Sequence, residues 1–308
     1  MVTGGAGFIG SHLVEALTSL GATAVVLDDL SGGLEENLAA FRPVEFFKGS
    51  ILDQGLVAKC TKGCRYVFHQ AALGSVPRSV EQPRLYHEVN STGTLNVLEA
   101  AREAKVARVM FAASSSAYGE NPVPWVEDMP VLPRSPYAAN KVACEALFQA
   151  YSASYGLDTA CLRYFNIFGP RQNANSAYAA VIAAFAKALL SGKRPVIFGD
   201  GEQSRDFTFV HNAVHANLLA ARRGEAIQGL VLNVGTGGRI SVNELARTMA
   251  RALGREDLTA EHRPERAGDI KHSFADLKRS EQVLGYRPVA GFEEGLRETM
   301  GWYRTQEL

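Results

Sequence analysis

The sequence has no surplus of either charge. Lysine and arginine together number 32, as do aspartate and glutamate, so no overall field draws the chain to nucleic acid or to an acidic membrane surface. Any phosphate recognition has to be local. Cysteine is scarce: Cys60 and Cys64 stand four positions apart, while Cys144 and Cys161 sit inside apolar segments. That pattern offers no zinc-type spacing and reads as reduced thiols in a cytoplasmic protein. His211 and His215 are four apart on an expected helix, but no third ligand has a recognisable spacing, so no metal is expected. Apolar runs are too short or too interrupted to span a bilayer, no basic-then-apolar leader precedes Thr3, and there is neither a repeat nor a low-complexity tract. A composition of 46% hydrophobic and 21% charged residues over 308 positions is enough for a large core, in two domains or in one with a sizeable appendage.

Strand and helix patterns alternate through the first half. Met1-Val2-Thr3 looks like the tail of a buried strand, and a glycine-rich turn, Gly4-Gly5-Ala6-Gly7-Phe8-Ile9-Gly10, leads to an apolar-periodic helix from Ser11 to about Leu20. Only a short first strand is available. Further β-rich runs are Thr23 to Leu27, Val44 to Lys48, Arg65 to His69, Arg108 to Ala113 and Thr159 to Tyr164. A helix is expected from about His87 to Lys105, and another from the Ser135-Pro136 cap to near Gly156. This spacing predicts a doubly wound parallel α/β sheet covered on both faces, a Rossmann arrangement, over residues 1–168. After Gly169-Pro170 the alternation loosens into a smaller α/β domain, 169–308, with the segment near 207–240 expected to return to the first sheet. Helices are read there at about Tyr178 to Leu190, Val210 to Arg222, Val242 to Leu253, Leu277 to Leu284 and Phe292 to Tyr303. Short strands are read near Val196 and at Leu230 to Val234, with a turn at Gly199-Asp200-Gly201.

Three constellations carry chemistry. Gly4, Gly7 and Gly10 lie between a strand end and a helix start, where backbone amides can approach a pyrophosphate at the positive helix end. Asp28, 18 residues beyond Gly10 at the end of the second strand, is placed to bind the ribose hydroxyls of NAD and to repel a 2′-phosphate. Ser114-Ser115-Ser116 end the fifth strand, where open α/β sheets hold ligands, although a plain polar loop has the same composition. Tyr137 and Lys141 share one face of a helix. A phenol with a pKa near 10 is about a thousandth ionised at neutral pH; a fixed ammonium and a cationic nicotinamide would favour its anion. Taken alone, Tyr-x-x-x-Lys fits an ordinary exposed helix face equally well.

Together with Arg163-Tyr164-Phe165-Asn166, these motifs resemble the extended short-chain dehydrogenase/reductases, within them the NAD-dependent nucleotide-sugar epimerases. The segments His69 to Ser79 and Ala177 to Val181 most resemble UDP-N-acetylglucosamine 4-epimerases. The resemblance covers nearly the whole chain and implies Ser114 as catalytic hydroxyl, Tyr137 as base and Lys141 as its partner. It implies NAD contacts at Gly4, Gly7, Phe8, Ile9, Gly10, Asp28, Asp29, Ser50, Ile51, Gln70, Ala71, Ala72, Asn90, Tyr137, Lys141 and Tyr164. Contacts to a UDP-sugar are implied at Ser114, Ser115, Ser116, Asn166, Ala180, Val181 and Ser273, with Arg205 and Arg266 on the diphosphate and Asp269 on the uridine ribose.

Two features discriminate within the family. Dehydratases carry an acidic pair directly after the catalytic hydroxyl, whereas this chain has Ser115 and Ser116, so elimination of water is not expected. Epimerases restricted to plain hexoses have a large tyrosine seven positions after the clamp arginine; Ser273 stands there and leaves room for an N-acetyl group. Ser50 replaces the aspartate that many relatives offer to the adenine amino group, and Val210-His211-Asn212 replaces a more acidic ending. The expected activity is reversible 4-epimerisation of UDP-N-acetylhexosamine, with plain UDP-hexoses also accepted, by a cytoplasmic homodimer joined through helices near 87–105 and 137–155. A UDP-hexuronate 4-epimerase and a non-catalytic NAD-binding regulator are the alternatives.

Overall fold

The computed structural model describes residues 1–174, 181–265 and 270–306. Its strands are β1 (Val2–Thr3), β2 (Ala24–Asp28), β3 (Val44–Lys48), β4 (Tyr66–His69), β5 (Arg108–Ser114), β6 (Thr159–Tyr164) and β7 (Ile167–Phe168). Seven shorter pieces follow, namely β8 (Val196–Phe198), β9 (Ser204–Arg205), β10 (Thr208–Phe209), β11 (Val231–Val234), β12 (Ile240–Ser241), β13 (Glu261–Arg263) and β14 (His272–Ser273). The early helices are α1 (Phe8–Ser19), α2 (Gln54–Thr61), α3 (Val76–Glu81), α4 (Pro83–His87), α5 (Gly93–Glu103) and α6 (Pro136–Tyr155). The later ones are α7 (Val181–Leu190), α8 (Val210–Arg222), α9 (Val242–Leu253), α10 (Lys278–Leu284) and α11 (Phe292–Tyr303).

Seven strands form one parallel sheet in the order β11-β6-β5-β4-β1-β2-β3. The order reverses at β1, which opens a crevice beyond its carboxyl end. Short as it is, β1 lies in the middle, with Val2 opposite both Val26 and Phe68 and fully buried. Successive side chains of β5 divide between two cores. Met110 and Ala112 join Leu13 of α1 and Leu219 of α8, whereas Val109, Phe111 and Ala113 join Leu98 of α5 and Phe148 of α6. Burial on both faces explains why these strands read as unbroken apolar runs. All four cysteines are free.

Two expected boundaries move. The first helix begins at Phe8, not Ser11, so Gly10 belongs to its first turn. The helix expected over 87–105 is broken into α4, a π segment at Glu88–Thr92, and α5. Side chains disturb the ladder there: Thr94 Oγ1 donates to the Asn90 carbonyl at 2.5 Å and Cys144 Sγ donates to it at 3.1 Å.

The smaller lobe packs α7, α9 and α11 around Ile182, Leu245, Met249 and Leu296. The helix expected from Tyr178 is seen from Val181, since 178–180 lie outside the described residues. The strand expected near Val196 is β8, and its partner β13, the pair β7 with β10, and the set β12-β9-β14 have no counterpart in the sequence pattern. Strands of two or three residues carry too little alternation to register as a period. Among the described residues no helix is long and apolar enough to cross a membrane.

Candidate active site

One cleft of about 970 Å³ runs along the carboxyl ends of the sheet and collects most of the expected residues. Gly4, Gly7, Phe8, Ile9 and Gly10 form its floor, and Asp28, Asp29 and Ile51 one end of it. The glycines are there because backbone meets backbone. A Cβ on Gly10 would fall 2.0 Å from the Gly4 carbonyl oxygen, and one on Gly4, at φ +66°, 2.7 Å from the Ala71 nitrogen. Gly7 caps α1 without any side-chain bond, so the first-turn amides of Phe8, Ile9 and Gly10 have no intrahelical acceptor. Asp28 accepts from the Ala6 amide at 2.9 Å and the Leu30 amide at 2.8 Å, which fixes its carboxylate at the cleft edge. Burial pushes its pKa up, and those amide bonds oppose the rise.

Tyr137, Lys141 and Ser114 line the same cleft. Ser135 Oγ accepts from the Ala138 amide at 3.1 Å and Pro136 opens the first turn, so the helix start that presents Tyr137 is fixed as its sequence requires. Ser114 Oγ accepts from both the amide and the hydroxyl of Ser116, at 3.2 and 2.9 Å. Its acceptor capacity is thereby filled, which leaves its own hydrogen to be donated into the cleft that Tyr137 also lines. Ser116 therefore orients Ser114, a task its place in the sequence did not disclose.

Lys141 is the ammonium expected, together with a cationic nicotinamide, to favour the Tyr137 phenolate. Its Nζ donates to the Ala112 carbonyl at 2.7 Å and lies 4.7 Å from the Phe111 ring centroid and 5.8 Å from that of Tyr137. Burial pushes Lys141 itself down to about 8. Burial likewise pushes Tyr137 up, and only the neighbouring Ser114 hydroxyl works the other way. In the chain by itself the phenol is neutral.

A hydrogen-bonded wall stands opposite. Thr94 Oγ1 spends its hydrogen on the Asn90 carbonyl, so at 2.9 Å it accepts from His69 Nε2, and His69 Nδ1 then accepts from Thr3 Oγ1 at 2.7 Å. The ring is neutral, consistent with burial pushing it down to about 3. Thr3 Oγ1 in turn accepts from the Ala71 amide at 3.2 Å. Asn90 lies off the cleft lining and bonds both the amide and the carbonyl of Leu73, at 2.8 and 3.0 Å, so it shapes the wall that Gln70, Ala71 and Ala72 present. Tyr164 donates to Gln70 Oε1 at 3.2 Å and accepts from Asn217 at 2.6 Å. His69 and Asn217 escaped the sequence reading, having no signal beyond a polar residue inside an apolar run.

The other end is built by both lobes. Asn166, at φ +33°, follows β6 into the cleft beside Ser115 and Ser116. Arg205 and Ser273 are cross-strand partners in β9 and β14, and both line it. Arg205 Nη1 donates to the carbonyls of Ser204 and Lys271, at 3.0 and 3.3 Å. Ser50 stands beside the cleft, its Oγ accepting from the Leu52 amide at 3.2 Å, and Val181 packs into the core of the small lobe. Ala180, Arg266 and Asp269 lie outside the described residues. Among the described residues the lining carries carboxylates only at Asp28 and Asp29 and no group of three His, Cys, Asp or Glu poised for a metal.

Comparison with known proteins places this geometry. The NAD dependent epimerase/dehydratase family matches residues 1–235. The UDP-glucose 4-epimerase of Mycolicibacterium smegmatis is 42% identical over 99% of this chain and 98% of its own length. The solved UDP-N-acetylglucosamine 4-epimerase of Methanobrevibacter ruminantium, in complex with UDP-N-acetylmuramic acid, superposes with a TM-score of 0.94 at 43% identity, over 99% of this chain and 98% of that one. A Thermus thermophilus UDP-glucose 4-epimerase complexed with NAD gives 0.89 at 38% identity over 99% and 98%.

Proposed function

The chain belongs to the NAD-dependent epimerase/dehydratase family, and from that premise we propose that it interconverts UDP-N-acetylglucosamine and UDP-N-acetylgalactosamine at C4, with UDP-glucose and UDP-galactose as further substrates. The residues present fit NAD. A cradle closed to any Cβ at Gly4 and Gly10, open amides at the start of α1 and the carboxylate of Asp28 suit a pyrophosphate and a ribose bearing no 2′-phosphate. When bound, NAD supplies a reversible hydride acceptor and a positive charge.

The chain's own groups do the rest. As the phenolate, which the positive charge of bound NAD would favour, Tyr137 takes the proton of the sugar 4-hydroxyl, and the Ser114 hydroxyl donates to whichever oxygen carries the developing charge. Lys141 keeps an ammonium behind the phenol. The 4-ketone has to turn over before the hydride returns to its opposite face, so the site grips the diphosphate and leaves the sugar loose. Arg205, with Arg266 as its expected companion, serves the first need; Ser115 and Ser273 serve the second. The observation that carries the N-acetyl reading is Ser273, 5% exposed and paired with Arg205 on the cleft wall. The absence of a described carboxylate beside Ser114 disfavours dehydration.

The same reading includes a homodimer through α5 and α6, whose exposed residues include the apolar Leu95, Ala139, Ala143, Ala146 and Tyr155 alongside Glu103, Gln149 and Ser154.

Four UDP-sugars, glucose, galactose, N-acetylglucosamine and glucuronate, presented separately with product followed by NMR, test the assignment. Turnover of the first three is expected, and glucuronate turnover without that of N-acetylglucosamine would replace the reading. Tyr137→Phe should cost about 10²- to 10⁴-fold in kcat.

A further inference from the structure

Asp206 joins three of the residues expected at the UDP-sugar end of the cleft. It follows Arg205 in the chain, its amide donates to the Ser273 carbonyl at 2.9 Å, and its carbonyl accepts from Asn166 Nδ2 at 3.4 Å. Its own side chain is fully buried and off the cleft lining, so it reaches a ligand only through those neighbours.

Both carboxylate oxygens are held. Oδ1 accepts from the Thr236 amide at 2.9 Å, from the Thr236 hydroxyl at 2.7 Å and from the Thr208 hydroxyl at 3.2 Å. Oδ2 accepts from the Gly237 amide at 3.0 Å and the Ala275 amide at 3.4 Å. Thr236 and Gly237 lie in the loop after β11, the last strand of the large sheet, whereas Ala275 follows β14 of the small lobe. One carboxylate thus ties the edge of the large sheet to the strand pair that carries Arg205 and Ser273. Burial pushes its pKa up, and the bonds from Thr236, Gly237 and Ala275 oppose the rise. An amide cannot take its place. Backbone N–H groups meet both oxygens, so an asparagine sets its own NH2 against a donor whichever way it turns, and either the 236–237 loop or Ala275 has to withdraw.

We propose that Asp206 is a positioning residue for the diphosphate grip, its carboxylate fixing β9 and β14 against the end of β11 so that Arg205 meets the ligand in register with Ser273 and Asn166. The proposal rests on the UDP-sugar reading above and deepens it. In the NAD-loaded enzyme, Asp206→Asn should weaken UDP binding, measured by calorimetry, about tenfold, the scale of one charge-assisted hydrogen bond. KM for UDP-N-acetylglucosamine should rise by the same factor, with kcat within about threefold and the NAD content unchanged. A lower thermal midpoint with unaltered UDP affinity would leave Asp206 a purely structural residue and overturn the proposal. The loss should also depend on Arg205. In an Arg205→Gln background the same substitution should weaken UDP by less than about twofold, and a further full loss would mean that the carboxylate acts elsewhere. Should Asp206→Asn not fold, Thr236→Val decides: it removes one hydroxyl and leaves the carboxylate, with an expected loss of about threefold, and unchanged affinity overturns the proposal. Wild-type protein that binds no UDP overturns the functional reading itself, an outcome distinct from a variant that binds it as well as wild type.

Discussion

Lys141 holds its charge in a place that penalises it. The residue is 4% exposed and burial brings its pKa from 10.5 to about 8, so at neutral pH the fold gives up on the order of 3 kcal/mol to keep it charged. The sign follows from proton counts. Between about 8 and 10.5 the unfolded chain binds this proton and the folded chain does not, so the penalty shrinks as pH rises through that window and is gone above it. Lys141→Met should therefore raise the thermal midpoint at pH 7 while abolishing turnover, and the advantage over wild type should fade towards pH 10. Thermal scans of both proteins over that range check this; a variant less stable at pH 7 would mean the ammonium is satisfied where it stands. The pairing of Tyr137 with Lys141 was legible as a spacing of four. Its electrostatics were not, because burial and the pull of the Ala112 carbonyl depend on how the sheet is covered, and no local pattern records that.

Elements with a long apolar period came through the sequence nearly intact. The helices α8, α9 and α11 and the strands β3 and β6 fall where periodicity put them, since each has a face or a pair of faces to bury. Misplaced boundaries arose where tertiary contacts override local preference, as at Asn90, whose carbonyl takes two side-chain donors, and at Gly10. Gly10 reads as turn from its glycine-rich neighbourhood, yet its value is the close seat it gives α1 against Gly4. Gly10→Ala has to move backbone on one side or the other, at a cost of about 1–3 kcal/mol. The variant should also lose its NAD. Quantifying the dinucleotide released on denaturation, beside a thermal midpoint, tests both halves; full NAD content would sever the cradle from cofactor binding.

For the molecule as a whole, the proposed pairing through α5 and α6, where Leu95 and Tyr155 are exposed, predicts an assembly mass near twice 33.2 kDa by analytical ultracentrifugation. Leu95→Lys, at a position 38% exposed, should shift that equilibrium towards the monomer while leaving the fold intact, and an unaltered sedimentation profile would move the interface elsewhere.

The place of β11 beside β6 has a consequence for how the chain is made. The polypeptide leaves the large sheet after β6 and supplies its last strand only at Val231–Val234, with part of the small lobe synthesised in between. At ordinary ribosomal rates that interval lasts roughly 3–13 s, during which β6 is an open edge on a nascent chain. Dividing the gene at the lobe boundary would make that interim state permanent in the amino-terminal fragment.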